Sequence, residues 1–168
     1  LYVGKDLTAA ASEDKLAVIS GGSTKIFEVD GSIISLGNGK IGYKSGDNYY
    51  FADITPEGLS PPNDAGIENV SSFCFSDGVY ADTADAVYLL SDGKSDIVID
   101  WKNSSVDHSQ ISDLFVESCD RAYYRRISGA SGVYELIKLT RVPDGEAVEK
   151  TRITLGITVG SSLLNQAI

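Results

Sequence analysis

Several residue types that commonly build functional sites are scarce in this chain. Its 168 residues include no methionine, one histidine, one tryptophan and two cysteines. One imidazole cannot form a histidine cluster, and Cys74 and Cys119 do not form a Cys-x-x-Cys pair, so the usual signatures of zinc and thioredoxin-like sites are missing. We therefore expect no bound metal and no cofactor.

Basic residues are scarce as well. The 14 lysines and arginines stand against 24 aspartates and glutamates, so the net charge is −10. An acidic protein repels the phosphates of nucleic acids and of anionic membranes. No apolar run approaches the ~20 residues that a membrane-spanning helix needs. We expect no nucleic-acid partner and no membrane insertion.

The length and composition fit one globular domain. Hydrophobic residues make up 42% of the chain and charged residues 23%, which is typical of a folded protein. The chain begins at Leu1, with neither an initiator methionine nor a signal-like apolar segment. We expect residues 1–168 to form a single β-repeat domain, either complete or part of a larger propeller.

What the chain does contain is a repeated hairpin pattern. Short segments rich in Val, Ile, Tyr and Phe, joined by tight turns, recur at residues 40–53, 78–93 and 121–140. A shorter first unit contains Val18 and Phe27. The pattern predicts an all-β fold of antiparallel four-stranded repeats, with a β-propeller-like arrangement favoured and a β-sandwich as the alternative.

Tyrosines serve as anchor positions for the repeat. Tyr43, Tyr80 and Tyr124 lie in the first strand of each hairpin, 37 and 44 residues apart, and a propeller blade takes about 40–50 residues. The second strands carry Tyr50, Tyr88 and Tyr134. The predicted strands are Leu16–Ile19, Lys25–Val29, Ile33–Leu36, Ile41–Lys44, Asn48–Asp53, Val70–Phe75, Val79–Asp82, Ala86–Leu90, Asp96–Trp101, Leu114–Glu117, Ala122–Ile127, Val133–Leu139 and Lys150–Val159.

Three segments depart from this pattern. The alanines of Asp6–Lys15 favour a short helix, and Ser161–Ile168 begins with a serine suited to capping another. The segment Thr55–Ile67 contains three prolines, so it cannot be a central strand and is predicted to link two sheets.

The chain resembles divergent propeller-like repeats of extracytoplasmic proteins from Gram-positive bacteria. The resemblance depends on Val79-Tyr80, on Val87-Tyr88 and on the turn that begins at Asp92-Gly93-Lys94. It implies a non-catalytic module, extracellular or at the cell surface, that binds a protein or glycan partner or serves as a scaffold. A carbohydrate-active hydrolase and an intracellular interaction propeller are the alternatives.

The segment Asp92-Gly-Lys-Ser-Asp96 also resembles the end of the calcium loop in FG-GAP propeller blades. Calcium needs six to eight oxygen ligands, and the earlier ligand positions fall on Tyr88 and Leu90, which cannot serve. A turn that uses Asp and Gly for their backbone conformation is the favoured interpretation, and we expect no metal here.

Candidate binding residues come from the aromatic side chains. Tyr49 belongs to a run of three aromatic residues, which cannot all face one core, and Tyr123 precedes Tyr124 in the same way. Trp101 lies at a predicted strand end. Tyr49, Tyr123 and Trp101 are therefore the candidate contacts for a partner, with packing between sheets as the competing explanation.

No catalytic residue is predicted. His108 lies in one polar loop with Ser104, Ser105, Asp107 and Ser109, whereas the members of a catalytic triad usually come from separate elements. We expect a solvated loop histidine.

The two cysteines are expected to be free thiols, with one disulfide as the alternative. Cys74 lies between two phenylalanines and is predicted to be buried, whereas Cys119 ends a strand and is predicted to be exposed.

Overall fold

The computed structural model describes residues 1–104, 106–119, 121–128, 133–141 and 147–155, with side chains described as far as residue 125. In these ranges the regular structure consists of β-strands and a single 3₁₀ turn, His108–Gln110. The prediction of an all-β fold is confirmed.

The strands form four antiparallel sheets in chain order. Sheet 1 contains β1 (Tyr2–Val3), β2 (Thr8–Ser12), β3 (Lys15–Ser20) and β4 (Ser23–Glu28). Sheet 2 contains β5 (Ser32–Gly37), β6 (Lys40–Ser45) and β7 (Asn48–Thr55), with the two-residue strands β8 (Gly58–Leu59) and β9 (Asn63–Asp64) pairing with β7. Sheet 3 contains β10 (Val70–Phe75), β11 (Val79–Thr83), β12 (Ala86–Ser91) and β13 (Lys94–Asp100). Sheet 4 contains β14 (Ile111–Ser118), β15 (Arg121–Ser128), β16 (Val133–Arg141) and β17 (Ala147–Leu155).

Two-residue turns set the strand register of several hairpins. Asn38 and Gly39 join β5 to β6 with φ of 45° and 70°, and Asp92 and Gly93 join β12 to β13 with φ of 48° and 74°. Two consecutive positive φ angles match the right-handed twist of a hairpin, and Asn, Asp and Gly adopt them at the lowest cost. The Asp92-Gly93 pair therefore has a conformational role, as the sequence predicted.

Each pair of successive sheets encloses its own hydrophobic core. The period of two along a strand directs alternate side chains to opposite faces, so a sheet between two others can contribute to two cores. The cluster between sheets 1 and 2 contains Ala9, Leu16, Val18, Val29, Ile41, Tyr43, Ala52 and Ile54. Sheets 2 and 3 enclose Tyr49, Ala65, Val70, Phe73, Phe75, Val79, Ala81 and Leu90. Sheets 3 and 4 enclose Cys74, Tyr80, Val87, Val98, Ile99, Trp101, Val106, Val116, Ala122 and Tyr124.

The predicted helix at Asp6–Lys15 is wrong. This segment contains β2, a two-residue turn and the start of β3, and Ala9 pairs with Val18 across the hairpin. Ala9 is fully buried against sheet 2. Burial of this small side chain between two sheets outweighs the helix propensity of alanine, because tertiary packing overrides such local preferences.

The second set of tyrosine anchors lies in the second strand of each hairpin, as predicted, but the three positions are not equivalent in register. Tyr43 pairs with Tyr50, but Tyr80 pairs with Leu89 and Tyr124 pairs with Ile137. Tyr88 and Tyr134 are therefore one and three residues out of register with Tyr50. The tyrosines of the first set share one environment, since Tyr43, Tyr80 and Tyr124 are all buried.

The proline-rich segment behaves largely as predicted. Residues 55–67 link sheets 2 and 3, and their two short strands add only bridges to β7. The helix predicted at Ser161–Ile168 and the end of the strand predicted at Lys150–Val159 lie outside the described residues. In the part of the chain that the structure describes, no helix is long and apolar enough to cross a membrane.

Candidate functional site

The outer face of sheet 4 carries a cluster of polar and aromatic side chains around Tyr123, one of the three predicted binding residues. Val116, Ala122 and Tyr124 point into the core shared with sheet 3. Because neighbouring residues on a strand point to opposite faces, Phe115 and Tyr123 lie on the other side of the sheet. We call this surface, formed by Asp113, Phe115, Glu117, Arg121, Tyr123 and Arg125, the Tyr123 face.

Glu117 organises one half of the Tyr123 face. The Tyr123 hydroxyl donates a hydrogen bond of 3.1 Å to Glu117 Oε2, and Arg121 Nη1 donates to both carboxylate oxygens at 3.3 Å. The pKa of the Tyr123 phenol is raised above its ordinary value. Partial desolvation is the larger cause, and the hydrogen bond to Glu117 is the second. Tyr123 is therefore a neutral phenol at physiological pH, with its hydroxyl held in a fixed direction.

The other half of the Tyr123 face combines an aromatic ring with a second ion pair. The Phe115 and Tyr123 rings lie 6.5 Å apart between centroids and are tilted by 30°. Arg125 pairs with Asp113, and its Nε donates to Ser112 Oγ at 3.3 Å. Two tilted rings flanked by held guanidinium and carboxylate groups present both an apolar surface and directional hydrogen-bonding groups, which is a composition typical of recognition surfaces.

Tyr49 and Trp101 are placed differently from Tyr123. Tyr49 is 8% exposed and belongs to the core between sheets 2 and 3, with Lys44 Nζ 5.4 Å from its ring centroid. Trp101 is 4% exposed and belongs to the core between sheets 3 and 4. Both rings pack inside the protein, so of the three predicted contacts only Tyr123 offers part of its ring at the surface.

A buried carboxylate explains why Trp101 and His108 are held in place. Asp82 accepts hydrogen bonds from Trp101 Nε1 at 3.1 Å and lies 3.1 Å from His108 Nε2. The indole and imidazole rings lie 5.3 Å apart. The prediction of a solvated loop histidine is therefore wrong, because Asp82 and Trp101 hold His108 against the protein.

The sequence contained one signal for this cluster, which is that the predicted strand Val79–Asp82 ends in an aspartate, a residue depleted in strands. Asp82 is a buried acidic residue in β11, a strand whose five residues are all buried. A carboxylate in such a strand requires hydrogen-bond donors, so partners from elsewhere in the chain had to be sought. The hydrogen bond that His108 donates to Asp82, together with the negative charge of Asp82, raises the pKa of His108 above the ordinary value of a histidine.

The cluster of Asp82, Trp101 and His108 lacks the arrangement of a catalytic triad. His108 uses Nε2 to contact Asp82. Ser104 Oγ donates to the carbonyl of Val106, and Ser109 Oγ donates to Asp107 at 2.6 Å. These hydroxyls are engaged with their own loop, whereas a nucleophile must contact the base. The cluster therefore connects β11 to the segment between sheets 3 and 4.

An open cleft of about 570 Å³ lies beside sheet 3. Its lining includes Glu68, Asp85 and Tyr88. Lys102 Nζ lies 2.9 Å from Asp85 Oδ2, so the two side chains form a hydrogen-bonded ion pair. The hydrogen bond to Asp85 raises the pKa of Lys102. Among the described residues no group of three or more His, Cys, Asp or Glu side chains is arranged to hold a metal ion.

Neither a protein-family model nor a curated protein sequence matches the chain. The function is therefore inferred from the residues and their geometry.

Proposed function

We propose that this chain is a non-catalytic binding module of the cell surface or extracellular space that holds a protein or glycan partner on its Tyr123 face. The observation that carries the proposal is the pair of Phe115 and Tyr123 rings at the surface, flanked by Glu117 and two arginines. Tyrosine and arginine are enriched among the residues that dominate binding energy, because each combines a large contact area with directional donors.

The proposed architecture is β-propeller-like. In support, the first strands of sheets 2, 3 and 4 lie next to one another, since β10 contacts both β5 and β14, and β5 also contacts β2 of sheet 1. Each sheet is also a meander in strand order, with a core on each side where it has two neighbours. A sandwich has two sheets around one core, whereas these four sheets have three cores in succession.

Two matched tyrosine substitutions test whether the partner binds to the Tyr123 face. Tyr123→Ala removes a ring from the Tyr123 face, and Tyr88→Ala removes a ring from the cleft beside sheet 3. Screening the wild-type chain on glycan and peptide arrays identifies ligands, whose affinities are then measured by calorimetry. We expect Tyr123→Ala to weaken binding by roughly 30-fold, as for a central interface residue, and Tyr88→Ala to leave it unchanged.

The opposite pattern would contradict the Tyr123 proposal and move the site to the cleft. Tyr123→Phe separates the two contributions of the ring and the hydroxyl. If the hydroxyl held by Glu117 contacts the ligand, this variant loses about tenfold in affinity, and if only the ring contributes, it retains full affinity.

One observation favours a carbohydrate-active hydrolase as a second candidate: Glu68 and Asp85 line the same cleft. Glycoside hydrolysis uses two carboxyl groups on opposite sides of the bond that is cleaved. Incubation with the array glycans, followed by analysis for reducing ends, tests this candidate. Release of reducing sugar that is lost in Glu68→Gln and Asp85→Asn would establish an enzyme and overturn the non-catalytic proposal.

The free thiols favour the intracellular alternative for the compartment. Cys74 is buried, Cys119 is exposed, and neither forms a disulfide. Extracellular proteins more often pair their cysteines, whereas reduced cysteines are typical of the cytosol. The resemblance to extracytoplasmic repeats supports the extracellular assignment. Fractionation of the source cells, with detection of this chain by antibody, distinguishes the two.

A further inference from the structure

The segment between sheets 3 and 4 makes many of its hydrogen bonds within itself. We call residues 101–110 the linker. Asp100, at the end of β13, accepts a bond of 3.2 Å from the backbone amide of Asn103. Asp107 accepts a bond of 3.0 Å from the backbone amide of Ser109. A segment with internal hydrogen bonds keeps its polar groups satisfied when it moves, so the linker can open locally while the sheets beside it stay folded.

Few contacts hold the linker against sheet 3. Beyond Trp101, two polar contacts join its described residues to that sheet. One is the ion pair of Lys102 with Asp85, whose side chains are 68% and 59% exposed, and such exposed pairs contribute little stability. The other joins His108 Nε2 to Asp82 Oδ2 at 3.1 Å, and Asp82 is buried in β11. The contact with Asp82 is therefore the polar contact that restrains the far end of the linker.

One carboxylate holds both ends of the linker. Asp82 Oδ1 accepts a hydrogen bond of 3.1 Å from Trp101 Nε1, at the start of the linker, and Asp82 Oδ2 contacts His108 near its end. The two rings lie 5.3 Å apart. A buried carboxylate needs its hydrogen-bond donors, so a weaker contact with His108 also weakens the closed arrangement around Trp101.

The surroundings of His108 make its charge the variable one. The hydrogen bond to Asp82 raises the pKa of His108, burial opposes the rise, and the charges of Asp82 and Asp107 add to it. Hydrogen bonds from Ser109 lower the pKa of Asp107, which keeps that carboxylate charged. Of these side-chain types, histidine is the one that ordinarily changes charge between pH 5 and 8. The remaining titratable side chains of the adjoining core are two phenols and a thiol, which belong to Tyr80, Tyr124 and Cys74.

We propose that the contact between His108 and Asp82 is a pH-sensitive switch that keeps the linker closed when the imidazole is protonated and lets it open locally when the imidazole is neutral. Loss of the proton removes the attraction between imidazolium and carboxylate and leaves a weaker, neutral hydrogen bond. The linker then opens more often, and Trp101 Nε1 separates from Asp82 while sheet 3 remains folded. Because the folded-state pKa of His108 is raised above about 6.5, opening increases as the pH rises through that raised pKa.

Hydrogen exchange of the Trp101 indole measures this opening directly. The chain contains one tryptophan and one histidine, so the indole N–H and the imidazole protons each give NMR signals from a single residue. The indole exchange rate, divided by that of free indole at the same pH, gives the protection of the closed linker. We expect protection to fall by up to about fivefold between pH 5.5 and 8.5, as for loss of a partly exposed ion pair. The midpoint should equal the His108 pKa measured in the same sample.

Three controls make the test specific. In the wild type, the backbone amides between β11 and β12 report the opening of sheet 3 itself and should be more strongly protected than the indole. His108→Gln retains a donor without a titrating charge, so its indole protection should be below that of the wild type at pH 5.5 and independent of pH. Lys102→Ala removes the other contact of the linker and should keep the wild-type midpoint. Circular dichroism confirms that each variant is folded.

The wild-type profile alone can overturn the proposal. Indole protection that does not change across the His108 titration would show that the imidazole charge does not control the linker. Indole protection equal to that of the amides between β11 and β12 would show that the linker opens only when sheet 3 unfolds. A pH step that persists unchanged in folded His108→Gln would assign the effect to another group. A step at the His108 pKa that His108→Gln abolishes and Lys102→Ala retains supports the switch.

Discussion

The two thiols occupy opposite environments. Cys74 is buried in the core between sheets 3 and 4, and its Sγ donates to the carbonyl of Leu114 at 3.2 Å. Burial raises the pKa of the Cys74 thiol to about 12. The thiolate is the reactive species, so Cys74 is inert at neutral pH for two reasons: reagents cannot reach it and it stays protonated.

We predict that one thiol per native chain reacts with an aromatic disulfide reagent. Cys119 is exposed and reacts, whereas Cys74 reacts only after unfolding. Absorbance of the released thiolate, with and without denaturant, should give one and then two thiols. Cys119→Ser is the control and should show none in the native state. Two reactive thiols in the native wild type would show that Cys74 is accessible.

His108 links the stability of the fold to pH. Its pKa is raised by the hydrogen bond to Asp82 and by the charges of Asp82 and Asp107. A histidine with a raised folded-state pKa stabilises the fold fully below its unfolded value of about 6.5 and loses this contribution as pH rises through the folded-state pKa. The protonated imidazole, not the neutral one, has the additional attraction to Asp82.

We predict that His108→Gln lowers the free energy of unfolding more at pH 5.5 than at pH 8.5. The difference should be no more than about 1 kcal/mol, because His108 is partly exposed and solvent screens the charges. Denaturant titrations at the two pH values measure it. Asp107→Asn, which removes one of the charges that raise the pKa of His108, should reduce the pH dependence only in part, because the hydrogen bond to Asp82 remains. A wild-type advantage that grows with pH would contradict the assigned direction.

At the scale of elements, the contact between sheets 2 and 3 depends on a glycine. A Cβ at Gly42, on β6, would lie 2.2 Å from Phe73 Cδ2. Phe73 cannot move aside easily, because its ring stacks on Phe75 at 6.0 Å and lies 6.2 Å from Phe51. Gly42 therefore sets how closely these two sheets approach each other.

We predict that Gly42→Ala lowers the free energy of unfolding by about 1–3 kcal/mol, as expected for overpacking a core. Gly37→Ala is the matched control: it lies in the same sheet, and its nearest contact for a Cβ is Phe75 at an ordinary 3.9 Å. This variant should be neutral or slightly stabilising, since alanine restricts the unfolded chain. Thermal melting compares the two, and equal melting temperatures would show that the sheets can separate at Gly42 without cost.

The elements differ in how well the sequence predicted them. Strands such as β12 and β13 were predictable because β-branched and aromatic residues lie beside turn residues with a required conformation, here Asp92-Gly93. The strand β2 could not be predicted, because the preference of alanine for helix contradicts the packing of Ala9.

The contact between Asp82 and His108 could not be predicted either. The two residues are 26 positions apart in the chain and meet only when the segment after sheet 3 folds back.

At the scale of the whole molecule, the charge distribution bears on whether the protein binds polyanions such as nucleic acids. The net charge of −10 gives the surface a negative potential. The basic residues of the Tyr123 face do not offset it, because Arg121 pairs with Glu117 and Arg125 with Asp113. Each guanidinium is thus accompanied by a carboxylate, which would repel a phosphate approaching the same surface.

We predict that the chain does not bind duplex DNA or single-stranded RNA at physiological salt, with any dissociation constant weaker than about 100 µM. The reason is that binding to nucleic acid gains its free energy from counterions released by unpaired cations, and the described cations of the Tyr123 face are paired with carboxylates. Fluorescence anisotropy with labelled oligonucleotides measures the affinity. Glu117→Gln is an informative variant, because it removes the carboxylate but keeps Arg121. If this variant gains weak binding that disappears with added salt, the pairing with Glu117 is what prevents Arg121 from binding nucleic acid in the wild type. Salt-sensitive binding by the wild-type chain at micromolar concentration would instead place an unpaired basic surface on this protein and contradict the prediction.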